Sequence, residues 1–494
     1  MTTFSRRGFL AASAAMLAAS HFPIRAYGQD AAAIRLAATS RTLDIDNRPA
    51  TVFGLTGPNG QGLLLDPGER FRVDLTNDLA ESTIIHWHGQ IPPNAQDGVP
   101  DMPQPLLQPG ETRSFDFAPQ PGTHWMHSHV PIQEMRLLAA PLIVRRAEDL
   151  SADRQEVVLF LHDFAFKTPE EVLEEITSAS ADGHGAAAMS GAMQGMNHGG
   201  MPGMNQGEAG GMGSMAMDMG NMAMDLNDYD WDAYLANDRT LSDPEVVQVE
   251  RGGRVRLRVI NAAAATVFWI DTGEAQARLV AVDGHEVQPV AGSRFGLAMG
   301  QRLDLEIDLP NETRAWPIMA LREGERERTG IILAPAGATI DRIDSLSAND
   351  APAFDTDLSQ ESRLVAVDTL AARPVDRSHM IMLGGSMQPY VWTIDGATWG
   401  KHRPIAATSG DRVELMFHNM SMMGHPMHLH GHAFQVVGIN RRRFEGARRD
   451  TVYLPPMSMV TVALDAGEAA SWMLHCHHMP HLATGMMTEF RIAA

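Results

Sequence analysis

The sequence predicts an all-β protein of three related domains, and three observations carry that prediction. Short segments alternate apolar and polar residues, among them Val255–Ile260, Leu303–Leu309, Val413–Phe417 and Met459–Leu464. Runs of period two, punctuated by Gly, Pro, Asn and Asp, are the half-buried strands of sandwiches or barrels. Long helical periodicity is scarce outside the N-terminus. One plan also recurs at residues 65–79 (LDPGERFRVDLTNDL), 249–263 (VERGGRVRLRVINAA) and 407–421 (ATSGDRVELMFHNMS): a Gly turn, a charged residue, an alternating strand and a closing Asn. Three copies imply three β-domains, placed at 31–148, 149–345 and 346–494.

Two segments stand outside this plan. In residues 1–30, Arg6 and Arg7 precede an apolar run, the pattern of a twin-arginine export signal with a small-residue cleavage zone near Ala26–Ala31. The run is too short to cross a membrane and no later stretch is long enough, so the expectation is a folded, cofactor-loaded protein exported to the periplasm. Residues 182–227 are Gly, Ala and Met with almost no strand formers, a composition that cannot bury a core. Eleven of the 32 methionines fall there, from Met189 to Met224, with His184 and His198. Packing explains such clustering poorly.

The net charge of −21 over 494 residues argues against nucleic acid or anionic lipid as a partner. A monomer is expected. The single cysteine, Cys476, excludes an intramolecular disulfide, which leaves an inert thiol, a reactive thiol or a metal ligand.

Its surroundings favour the last. Four motifs carry histidine pairs: His86-Trp87-His88, His127-Ser128-His129, His425-Pro-Met-His428-Leu-His430, and His475-Cys476-His477 continuing to His481 and Met486. In a strand, residues i and i+2 point to one face, roughly 6.6 Å apart. Each His-x-His therefore aims two imidazoles the same way. Four pairs supply eight imidazoles, far more than one zinc needs, and suit a cluster of several metals. Cys476 then points to the opposite face from His475 and His477, so one segment joins a thiolate site to the cluster. His425 and His481 remain; two His, one Cys and a weak axial Met, here Met486, are the ligand set of a blue copper centre.

In order and spacing these motifs closely resemble those of the three-domain multicopper oxidases, a family that includes laccases, bilirubin oxidase and periplasmic cuprous oxidases of copper resistance. The resemblance spans nearly the whole chain after the signal. It implies three cupredoxin-like Greek-key sandwiches and four copper ions: type 1 held by His425, Cys476, His481 and Met486; type 2 by His86 and His428; the type 3 pair by His88, His127, His129, His430, His475 and His477. It also implies transfer of electrons from a reductant through Cys476 to His475 and His477, and reduction of dioxygen to water. Asp97 matches the acid that the family places near type 2 copper, although a turn Asp before Gly98 is the plainer reading of it. The chain departs from the cuprous oxidases at Leu482, where an acid usually aids proton delivery. His124 and His478 lie beside ligands and read as supporting or packing residues.

The reductant is read from thioethers, soft ligands that prefer Cu(I). The Met-rich stretch resembles segments of copper-resistance oxidases, as does 229–244, but it falls early in the second domain rather than in the third. Met422 and Met423 match the family's substrate-copper region, whereas Ser421 stands where an acid is common. The resulting expectation is a periplasmic oxidase of Cu(I), with extra copper held at the insert; a laccase-like oxidase of phenols or aromatic amines is the alternative.

Overall fold

The computed structural model describes residues 32–182 and 226–494. The proposed export signal and the Met-rich positions 183–225 lie outside the described residues. The described chain is built of strands gathered into three pairs of sheets. Strands between Ile34 and Val144 form a five-stranded and a four-stranded sheet. Those between Gln155 and Pro335 form sheets of six and five strands, and those from Arg377 to Ala493 form sheets of seven and five.

The three sequence repeats occupy equivalent places. They give the strands Phe71–Asn77, Arg254–Asn261 and Arg412–Asn419. Each pairs in parallel with the opening strand of its own sandwich (Ile34–Ile45, Gln155–Phe164 and Arg377–Met387) and antiparallel with a later one. The closing asparagines Asn77, Asn261 and Asn419 are fully buried. Each donates through Nδ2 to loop carbonyls, and each accepts at Oδ1 the backbone N–H two residues on. A buried amide survives only with its donors and acceptors satisfied. The repeat is therefore a device for pinning the turn that leaves each strand, and in the first and third sandwiches that turn leads toward the histidines.

The longest helix among the described residues stands out against the all-β expectation. Pro169–Asp182 begins with a capping box, in which Glu171 N donates to Thr168 Oγ1 and Thr168 N to Glu171 Oε2. Val172 and Ile176, four residues apart, are buried on one face.

The middle sandwich is tied to the first by buried hydrogen bonds to Thr123 and to the third by a buried ion pair. Arg258 reaches Asp149, Asp304 and Thr123, and Arg302 reaches Thr123 O and Asp450. Both guanidiniums are fully buried. Removing one partner of such a pair strands a charge in low dielectric, at a cost of about 3–5 kcal/mol.

Candidate metal centres

Four strands carry the histidines to one place. Ile85–His86 pairs antiparallel with Gly122–Ser128 in the first sandwich, setting His86 opposite His127. His425–Leu429 pairs with Ser471–Cys476 in the third, setting His428 opposite His475 and Met427 opposite Cys476. The loop that packs against the His86 strand needs glycine: Gly98, after Asp97, has φ +86, and a Cβ there would lie 1.9 Å from Ile85 O.

The ten predicted histidines and Cys476 are all buried and fall into close groups. His88, His127 and His477 form one trio, His129, His430 and His475 a second, while His86 and His428 meet beside them. Hydrogen bonding assigns the ring tautomers. His86 Nδ1 donates to Asp97 O (2.8 Å) and His428 Nδ1 to Asp450 O (2.9 Å), so their Nε2 lone pairs face each other at 3.3 Å. His430 Nδ1 donates to Asp97 Oδ2 (2.9 Å) and His475 Nδ1 to Cys476 O (3.0 Å), leaving two Nε2 lone pairs 3.1 Å apart. His127 Nδ1 donates to Ser128 O (3.0 Å), with Glu134 Oε2 2.7 Å away, and His88 Nε2 donates to Asp450 Oδ1 (3.0 Å); their free nitrogens lie 3.4 Å apart. Opposed acceptors at these distances repel unless a cation sits among them. Burial also pushes His88, His127, His129, His430, His475 and His477 well below the usual histidine range. They are thus neutral, the form that ligates metal. The cluster is a set of neutral donors able to hold metal cations.

The thiolate site lies on the other face of Ser471–Cys476. Cys476 Sγ is 3.7 Å from His425 Nδ1 and 3.6 Å from His481 Nδ1, and those two nitrogens are 3.2 Å apart. His425 Nε2 donates to Ser421 Oγ at 2.8 Å. Ser421, at the position where an acid is common, therefore keeps a bond to this ring. Met486 is fully buried, and its carbonyl accepts Cys476 N–H at 3.0 Å. Burial pushes the thiol up, so a thiolate here needs a cation.

Asp97 lies between His86 and His430, with Oδ1 lacking a partner. Leu482 is buried and brings no acid. His124 is buried, and burial pushes it down to about 3. His478 stacks on His481 at 3.8 Å between centroids and lies 3.5 Å from Asp228.

Three carboxylates at the site escaped the sequence reading. Glu134, on the turn Pro131–Glu134, touches His127 and stands 3.8 Å from His477 Nδ1, bridging two sandwiches; burial raises its carboxyl well above the usual range. Asp450 bonds His88 and is held by Arg302 of the middle sandwich. Burial opposes its ionisation, but Arg302 and His88 outweigh that and keep it well below the usual carboxylate range. Asp228 is fully buried, 3.4 Å from His481 Nε2, and also accepts from Tyr390 OH. Burial would raise its carboxyl, yet His478, His481 and Tyr390 together hold it at about 2. The only local signals were Glu134 five residues beyond His129, and an Asp after Arg448-Arg449.

An all-β chain with one cysteine–imidazole site beside a buried cluster of neutral imidazoles is an oxidoreductase scaffold for copper. The chain belongs to the multicopper oxidases, copper enzymes that use dioxygen: three multicopper oxidase models match residues 49–149, 155–336 and 373–494. Among its relatives is multicopper oxidase MmcO of Mycobacterium tuberculosis, 30% identical over 98% of this chain and 96% of that one. Copper resistance protein A of Escherichia coli is 23% identical over 89% of this chain and 88% of its own. Among solved structures, Fet3p, a multicopper oxidase that functions in iron import, aligns with a TM-score of 0.73 at 16% identity, covering 93% of this chain and 90% of that one. The laccase from Botrytis aclada aligns at 0.70 and 20% identity, covering 92% and 87%. These two show the same fold.

Proposed function

We propose that the protein is an exported periplasmic oxidase of Cu(I), acting in copper tolerance, with the reductant end set by thioethers. The observation that carries this reading is the concentration of methionine: eleven in residues 183–225, with Met420 and Met422 exposed on the loop that leads into His425. Soft thioethers favour Cu(I) over harder ions. The similarity to copper resistance protein A supports the same direction. Four one-electron oxidations balance the reduction of one dioxygen to two waters, with four protons taken up.

The site residues are assigned accordingly. Type 1 copper belongs to His425, Cys476, His481 and Met486, type 2 to His86 and His428, and the type 3 pair to the two histidine trios. Bound copper supplies one-electron acceptance at the thiolate site and multi-electron reduction of dioxygen at the cluster. Cys476 joins the two places covalently, since its neighbours His475 and His477 each enter a different trio. Asp97 and Asp450 fix which nitrogen of His86, His430, His88 and His428 carries hydrogen, as partners of metal-ligating imidazoles do, while Glu134 stands beside His127 and His477. Asp97 takes the proton-handling place: Oδ2 holds the Nδ1–H of His430, and the unpartnered Oδ1 is the atom at which a proton is held.

The test is oxygen consumption with Cu(I), Fe(II) and a bulky phenol, measured side by side in the full chain and after deletion of residues 184–225. Cu(I) turnover is expected to fall much more than phenol turnover. Equal losses would favour the laccase-like reading, which the 24% identity to laccase-2 of Botryotinia fuckeliana over 91% of this chain and 79% of that one keeps as the competitor.

A further inference from the structure

The outer face of the seven-stranded sheet in the third sandwich carries a second set of soft donors, away from the histidine centres. In the strand Arg377–Met387, Ile381 and Leu383 point inward and are fully buried, while Met380 and Met382 face outward. In Arg412–Asn419, Leu415 and Phe417 are buried, and Met416 and His418 face outward. In Met459–Asp465, Val460 and Val462 are buried and Met459 faces outward. The register aligns these groups. Met382 pairs with His418, and His418 with Met459; Met380 pairs with Met416 in the next row.

Strands lie about 4.8 Å apart, and His418 has a methionine as register partner on each neighbouring strand, Met382 across a parallel pair and Met459 across an antiparallel one. Met416 is its same-face neighbour along the strand. Methionine has three rotatable bonds and a polarisable sulfur, so these groups can converge on one ion without moving the sheet. The imidazole is available: His418 has no hydrogen bond, ion pair or ring contact among the described residues, and it is half-buried rather than sealed. The patch is bounded on one side by Glu414, which Arg443 neutralises (3.2 Å). At the other end lie Met420 and Met457, both more than half exposed. Met420 N donates to Leu383 O, and Asn419 N to Ser458 O, so this end is in register with the same three strands. Beyond it the chain runs directly into His425.

Packing does not explain the arrangement. An outward sheet row facing water ordinarily carries polar or charged residues, yet this one holds thioethers around a single unpaired imidazole. Three thioethers and an imidazole are a soft set suited to Cu(I) or Ag(I) and poorly suited to calcium or magnesium.

We propose that Met382, His418 and Met459, with Met416, form a surface binding site for a soft monovalent cation, Cu(I) in the cell. The site holds the ion on the sheet face beside the approach to His425. Its role in delivering substrate rests on the Cu(I) oxidase reading; its capacity to bind does not.

The test uses the copper-loaded full chain and Ag(I), a soft cation that is redox-silent here, titrated in competition with a chromophoric chelator. The triple variant Met382→Leu/His418→Gln/Met459→Leu is expected to bind one fewer Ag(I) per chain. X-ray absorption at the silver edge is expected to show a nitrogen contribution that His418→Gln alone removes. The blue visible band reports that each variant is folded and loaded, and the single variant serves if the triple one fails to fold. Unchanged stoichiometry with an unchanged nitrogen contribution overturns the site. Cu(I) turnover in the same proteins separates the two ideas. Loss of the Ag(I) equivalent with no Cu(I) turnover in any protein supports the site and sinks the Cu(I) oxidase reading. Turnover in the wild type with identical Ag(I) binding in the variants does the reverse.

Discussion

The histidine cluster and the thiolate site share one strand, Ser471–Cys476, yet they are built in different ways. The cluster draws its imidazoles from two sandwiches and the groups that hold those imidazoles from three. Asp97 and Glu134 come from the first, Asp450 from the third, and Arg302 anchors Asp450 from the middle. The thiolate site takes its assigned ligands from the third sandwich alone, within His425–Met486, and a single carboxylate, Asp228, reaches it from the middle one. The cluster is sealed, whereas the loop entering His425 exposes Met420 and Met422 to solvent. On the proposed reading, the sealed end serves one small substrate and the open end faces whatever donates electrons. Over-determination at the cluster restricts what the rings can do, and sparse support at the thiolate site leaves room for its specificity to vary.

The comparison can be broken in four places. Cys476→Ser should abolish the blue band and reduce oxygen consumption to background with every reductant, while the cluster keeps its copper; metal analysis and the visible spectrum read the two centres separately. Loss of copper from both would show that they are not independent. Arg302→Met should leave Asp450 buried without its cation, at a cost of about 3–5 kcal/mol, read as a lower denaturation midpoint and copper lost first from the cluster. A stability equal to wild type would mean that the middle sandwich does not anchor the cluster. Glu134→Gln should weaken copper binding at the cluster by about 10–100-fold and spare the blue band, measured by chelator competition. The smallest effect is expected from Asp228→Asn, about tenfold or less on copper retention at the thiolate site alone. If it strips the cluster as well, the two centres are coupled through the middle sandwich rather than through Cys476.

What could be read from the sequence follows from how local each signal is. The four His motifs were legible because strand geometry places i and i+2 on one face, and the structure brings all ten histidines to the two centres. The threefold repeat was legible because each copy ends on an Asn with the same buried bonding. The helix Pro169–Asp182 was missed although Thr168-Pro-Glu-Glu171 is a capping-box pattern, because only Val172, Leu173 and Ile176 mark its apolar face. Glu134, Asp450 and Asp228 carry no motif. Each is an ordinary acid in the sequence and becomes special only by the company it keeps.

By itself, then, the sequence determined the donor atoms: which residues are imidazole, thiolate and thioether, which of them share a strand face, and so which metal chemistry is available. The tertiary structure decided how those donors are used. Strand pairing across two sandwiches sorted eight paired imidazoles into two trios and a pair. Packing then buried Asp228, Glu134 and Asp450 against particular rings, and register set Met382 and Met459 on either side of His418. The division has a physical reason. Ligand chemistry belongs to single side chains and short periodicities, whereas coordination partners, and the bonds of His430 to Asp97 and His88 to Asp450, join residues hundreds of positions apart.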